Sequence, residues 1–80
     1  MKKVVVRYFA LLREKAGLES ETVETDLVSY RDLYQDLAKR HDFVLEPKMI
    51  QVAVDDEFSN LDREIVDGAR IVFIPPVAGG

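Results

Sequence analysis

Few of the 80 residues carry groups suited to covalent chemistry, and the best placed are Gly79 and Gly80, after the run Phe73-Ile74-Pro75-Pro76-Val77-Ala78. Glycine has no Cβ, so such a segment can thread a narrow channel and bring its α-carboxylate against another backbone or a phosphate. A terminal carboxylate has a pKa of roughly 3.3–3.7, which predicts an ionised Gly80 at neutral pH. In that form it is a poor electrophile. Activation with ATP to an acyl-adenylate would open it to a sulfur or nitrogen nucleophile. The two prolines restrict φ and favour an extended exit, and Val77 and Ala78 are small apolar residues suited to lining a channel.

The other chemistry-bearing residues point to structure. His41 is the only histidine and the chain has no cysteine, so neither a zinc-type ligand set nor a cysteine nucleophile is available. At the end of a helical pattern His41 reads as a C-terminal cation. Asp55-Asp56-Glu57 lacks the ligand spacing of a calcium loop and reads as a turn. Ser20, Ser29 and Ser59 lack the context of a nucleophile elbow, and the four glycines form no phosphate-binding motif. No internal active site is predicted, which moves the chemistry to the tail.

Eighty residues make one small domain, expected to span 1–76, followed by a flexible tail over 77–80. A net charge of −4 argues against a nucleic-acid binder, whose footprint is a basic stripe. The absence of an apolar leader or a long apolar run predicts a cytoplasmic chain with no membrane partner.

Residues 3–9 are β-rich and predict a first strand; 10–16 suit a short helix stopped by Gly17. Residues 20–25 predict a half-exposed strand returning beside the first. Tyr30, Leu33, Tyr34, Leu37 and Ala38 fall at i, i+3, i+4, i+7 and i+8, the apolar face of a helix over 30–41. Ser29 is its expected N-cap, Asp32 completes a variant capping box, and Val28 with Leu33 occupies staple positions. Strands follow at 50–54 and 70–74, with a short one after Asp55-Asp56, and Asp67-Gly68 marks a turn. Pro75 and Pro76 end pairing, having no N–H to donate. This order predicts an α+β domain with one main helix across one face of a mixed sheet, compatible with a β-grasp.

Strand alternation gives a functional clue. With Arg7 and Arg70 facing water, Val4, Val6, Tyr8, Ile71 and Phe73 pack inward. Val5, Phe9, Ala53, Phe58, Val72 and Ile74 are then left outward as a candidate partner patch at the root of the tail.

The ending Phe73-Ile74-Pro75-Pro76-Val77-Ala78-Gly79-Gly80 resembles that of the molybdopterin synthase small subunit (MoaD) family. So do the opening Val6-Arg7-Tyr8-Phe9-Ala10-Leu11-Leu12-Arg13-Glu14-Lys15-Ala16-Gly17, the pair Leu61-Asp62 and the pair Asp67-Gly68. The resemblance implies a ubiquitin-like β-grasp sulfur carrier that is not catalytic alone and binds no cofactor. It implies that an adenylating enzyme similar to ubiquitin-activating enzymes uses ATP on Gly80, that a sulfur donor system converts it to a thiocarboxylate, and that Val77, Ala78 and Gly79 thread the tail into the large synthase subunit. Sulfur would there pass to cyclic pyranopterin monophosphate in molybdenum cofactor biosynthesis. The family's apolar contacts map onto Phe9, Phe58 and Ile74. A related carrier for thiazole or transfer RNA, a ubiquitin-like modifier and a pure interaction module remain as alternatives.

Overall fold

A computed structural model describes residues 1–76. Strand β1 (Lys2–Tyr8) leads into helix α1 (Ala10–Ala16), strand β2 (Ser20–Thr25) and helix α2 (Tyr30–His41). A single 3-10 turn over Pro47–Met49 precedes β3 (Gln51–Val54), β4 (Glu57–Ser59) and β5 (Arg70–Ile74). The sheet order is β2-β1-β5-β3-β4. β1 and β5 run parallel at its centre, and the remaining pairs are antiparallel. This is the α+β, mixed-sheet domain expected from the alternation.

The helices stop and start where local chemistry predicts. Gly17 takes φ +75° and donates its N–H to the Arg13 carbonyl at 3.0 Å, a left-handed helix cap that favours glycine. Ser29 Oγ accepts the Asp32 N–H at 3.1 Å. Val28, by contrast, stays mostly exposed rather than covered as a staple residue would be, and its carbonyl takes the Ile65 N–H at 2.7 Å. Carbonyls of Leu61 and Arg63 accept the Arg31 and Tyr30 N–H groups, so the long β4–β5 connection satisfies donors that a helix start leaves unpaired. Arg31 and Asp62 pair through two contacts of 2.6 and 3.2 Å on the same join.

One face of the sheet is covered by α2. Tyr30, Leu33, Tyr34 and Leu37 bury against Val4, Val6, Tyr8, Val23, Val52, Val54, Ile71 and Phe73, while Ala38 is half-buried at the margin. The buried tyrosines each find a partner: Tyr34 Oη donates to the Leu45 carbonyl at 2.8 Å, and Tyr30 Oη accepts the Val66 N–H at 3.3 Å. Burial pushes the Tyr34 hydroxyl up to about 12, so it remains a neutral donor. Among the described residues, the other face of the sheet has no helix on it.

Candidate docking face and tail root

Because side chains alternate along a strand, burying Val4, Val6 and Tyr8 turns Val5 and Arg7 to the open face of β1. On β5, Ile71 and Phe73 are buried and Arg70, Val72 and Ile74 face the other way. Register then assembles the surface. Arg7 stands opposite Val72, Val72 opposite Ala53, and Ala53 opposite Phe58, a single row across four strands. Phe9 follows β1, and Ile74 ends β5 opposite Gln51, so both sit at the pole where the chain leaves the sheet.

The anticipated patch is present in graded form. Phe58 is 74% exposed, Phe9 40% and Val5 37%, whereas Ala53, Val72 and Ile74 are half-buried by their neighbours. Phe58 stands out because β4 is a three-residue edge strand with no neighbour beyond it among the described residues. Pro75 is buried and Pro76 exposed, so the last described residue sits directly after the patch. Val77, Ala78, Gly79 and Gly80, the residues expected to thread and react, lie outside the described residues.

The remaining candidates fall into structural roles. Asp55 and Asp56 form the β3–β4 turn with φ of 50° and 70°, and Asp55 Oδ1 accepts the Arg70 N–H at 3.0 Å. Ser29 caps α2, and Ser59 Oγ accepts from Arg63 at 3.3 Å. No cluster of three or more histidine, aspartate or glutamate side chains able to hold a metal occurs among the described residues. Among the described residues, no helix is long and apolar enough to cross a membrane.

One constellation escaped the sequence reading. His41, expected as a helix-end cation, does close the last turn of α2 and also turns inward: its Nε2 lies 2.7 Å from Glu21 Oε2, and the same oxygen accepts the Tyr8 hydroxyl at 2.5 Å. The His41 and Glu21 side chains are 14% and 19% exposed. Burial and the adjacent carboxylate drive the Tyr8 hydroxyl well above its ordinary range. Burial also pushes Glu21 upward, but hydrogen bonds from Tyr8 and His41, aided by nearby Arg40, outweigh it and hold the carboxyl below its usual value. Phe43 packs its ring edge-on to Tyr8 and tilted against His41. The group ties β1, β2 and the end of α2 together and is a structural joint. The available signal was parity: Glu21 shares the inward side of β2 with Val23 and Thr25, and an inward carboxylate needs partners.

A family profile, that of the ThiS family, matches residues 6–80. The chain belongs to the ThiS family. Relatives of this ThiS-family protein are named as carriers: it is 31% identical to the molybdopterin synthase sulfur carrier subunit of Escherichia coli K12, over 96% of this chain and 99% of that protein. Among solved structures, molybdopterin converting factor subunit 1 from Pyrococcus furiosus superposes with a TM-score of 0.77 at 31% identity, covering 96% of this chain and all of that one. SAMP1 from Haloferax volcanii superposes with a TM-score of 0.76 at 26% identity, covering 98% and 99% of the two chains. The recognised resemblance to the MoaD-type carrier is thereby confirmed, and with it the ubiquitin-like β-grasp.

Proposed function

We propose that this chain is the sulfur carrier subunit of a molybdopterin synthase and that its working atom is the Gly80 carboxyl. The observation that carries the reading is the near end-to-end match to a molybdopterin synthase sulfur carrier subunit, within a family match that reaches Gly80. In the proposed cycle an adenylating enzyme joins the Gly80 carboxylate to AMP from ATP, with pyrophosphate leaving. A sulfur donor then displaces AMP and leaves a terminal thiocarboxylate. Sulfur bonds to cyclic pyranopterin monophosphate inside the large synthase subunit, and water then cleaves the acyl carbon–sulfur bond, returning the Gly80 carboxylate.

The described residues support a division of labour. The open face with Phe9, Phe58 and Ile74 docks the partner, and Pro75-Pro76 leads the tail away at the same pole. Threading by Val77, Ala78 and Gly79 places the reacting sulfur by docking, which makes its delivery effectively intramolecular. The groups that stabilise the transition states belong to the partners. Intact-mass analysis after incubation with ATP, the adenylating enzyme and a sulfur donor tests the reading, with one oxygen at Gly80 expected to be replaced by sulfur. Sulfur found only elsewhere on the chain would overturn it.

A second reading draws on one observation, the likeness to a protein named SAMP1, described for another species as a small archaeal modifier protein. In that reading the activated Gly80 forms an isopeptide bond with a target lysine. Cellular proteins shifted in mass by this chain would favour it; loss of molybdoenzyme activity on deletion of the gene would favour the carrier.

A further inference from the structure

The open face carries charge as well as apolar surface. β1 presents Lys3, Val5 and Arg7 outward, and β5 presents Arg70, Val72 and Ile74. Val5 is the Cα partner of Arg70, so Arg70 flanks the midpoint of the β1 interval between Lys3 and Arg7. At about 3.3 Å per residue that interval is about 13 Å. The two central strands therefore place three cations and no carboxylate on this face, in a chain whose 15 acidic residues outnumber its 11 lysines and arginines.

Carboxylates border the strip. Glu24 lies opposite Lys3 in register, and Glu19 Oε1 lies 3.6 Å from Arg7 Nη2. Asp67 and Asp55 accept the backbone N–H groups of Lys3 and Arg70 at 2.7 and 3.0 Å. Of the three cations, only Arg7 has an ion pair among the described residues; that pair is long and exposed on both sides, the kind that contributes little. The Arg7 guanidinium also sits 5.7 Å from the centre of the Phe9 ring, so the charge adjoins the apolar half of the surface.

We infer that this face is a two-part docking surface, in which Phe9, Phe58 and Ile74 anchor an apolar contact and the Lys3–Arg7–Arg70 strip pairs with carboxylates on a protein partner. The inference rests on the carrier reading, with the large synthase subunit as the occupant. Covering the strip with an apolar surface would desolvate Lys3 and Arg70, which have no ion pair among the described residues, so the surface that lands on Phe9 and Phe58 must also offer acidic groups. Such complementarity steers encounter and sets register more than it adds affinity. A nucleic acid is disfavoured because the net charge of −4 repels a continuous polyanion.

The test follows association of the full chain with the large synthase subunit encoded in the same genome, at low salt and at about 1 M, where the screening length is about 3 Å. Arg7→Glu combined with Arg70→Glu is expected to slow association by about tenfold or more at low salt, with the difference shrinking at high salt. Arg7→Lys with Arg70→Lys keeps the wild-type rate, as does Lys39→Glu on α2, away from the open face. Should the double reversal impair folding, Arg7→Gln with Arg70→Gln gives a smaller slowing of the same salt dependence. An unchanged rate for a folded double variant overturns the inference, as does equal slowing by Lys39→Glu or displacement of the subunit by an oligonucleotide. Failure of the wild-type chain to bind the subunit would instead overturn the carrier reading beneath it.

Discussion

Phe58→Ala separates docking from folding more cleanly than any other single change. The side chain is 74% exposed in the free chain, on a three-residue edge strand with only Ala53 opposite it. A phenylalanine side chain carries roughly 200 Å², so about 150 Å² of Phe58 is left for a partner to cover. At about 25 cal/mol per Å², full coverage would contribute roughly 4 kcal/mol. Alanine retains Cβ, and interfaces realise only part of their buried area as affinity. The expected loss is therefore about 2 kcal/mol, a weakening of the large-subunit Kd by roughly 30-fold.

Folding should hardly notice the same substitution, since exposed positions shift stability by about 0.5 kcal/mol or less. Titration calorimetry against the large subunit, paired with thermal melts of the free chain, reads both quantities. Phe73→Ala supplies the contrast. Phe73 has no exposed surface and packs edge-on to Tyr34, so its truncation should cost about 3–5 kcal/mol of stability. A folded Phe58→Ala chain whose Kd lies within twofold of wild type would refute the assignment of Phe58 to the docking face. A large fall in its melting temperature would show that Phe58 is packed rather than presented.

Glu21 has its folded pKa lowered, so its contribution to stability is full above the unfolded value of about 4.3 and is lost as pH falls through the folded value. Acid melts should therefore steepen below about pH 4.3, and Glu21→Gln should flatten that dependence while lowering stability at neutral pH. Gly68 takes φ +84° with open space around a would-be Cβ, so Gly68→Ala should cost about 1 kcal/mol through backbone strain alone, read by chemical denaturation. Deleting Gly80 should abolish adenylation and sulfur loading in an intact-mass assay while leaving the melting temperature and large-subunit affinity near wild type. Gly79→Val should do the same, because a β-branched side chain stiffens and widens the thread.

What could be read in advance followed the two short periods of polypeptide geometry. Alternation with Arg7 and Arg70 as outward markers assigned the faces of β1 and β5, because a one-residue slip would have buried both arginines. The stripe Tyr30-Leu33-Tyr34-Leu37 located α2 to the residue, since capping by Ser29 reinforced the 3.6-residue period. Residues 42–49 defeated the same reading. Neither period runs through Asp42-Phe43-Val44-Leu45, where Phe43 packs against Tyr8, Tyr34 and His41, and the following turn spans only three residues. The inward turn of His41 depends on Glu21, twenty residues away and brought near by β1–β2 pairing. The local cue, cations at a helix end, placed His41 in the last turn, but it could not show the long-range hydrogen bond. The open face was legible because position on a strand decides it. The Lys3–Arg7–Arg70 strip needed the parallel register of β1 with β5, which separates Arg70 from Val5 by 65 residues of chain and sets them side by side in the sheet.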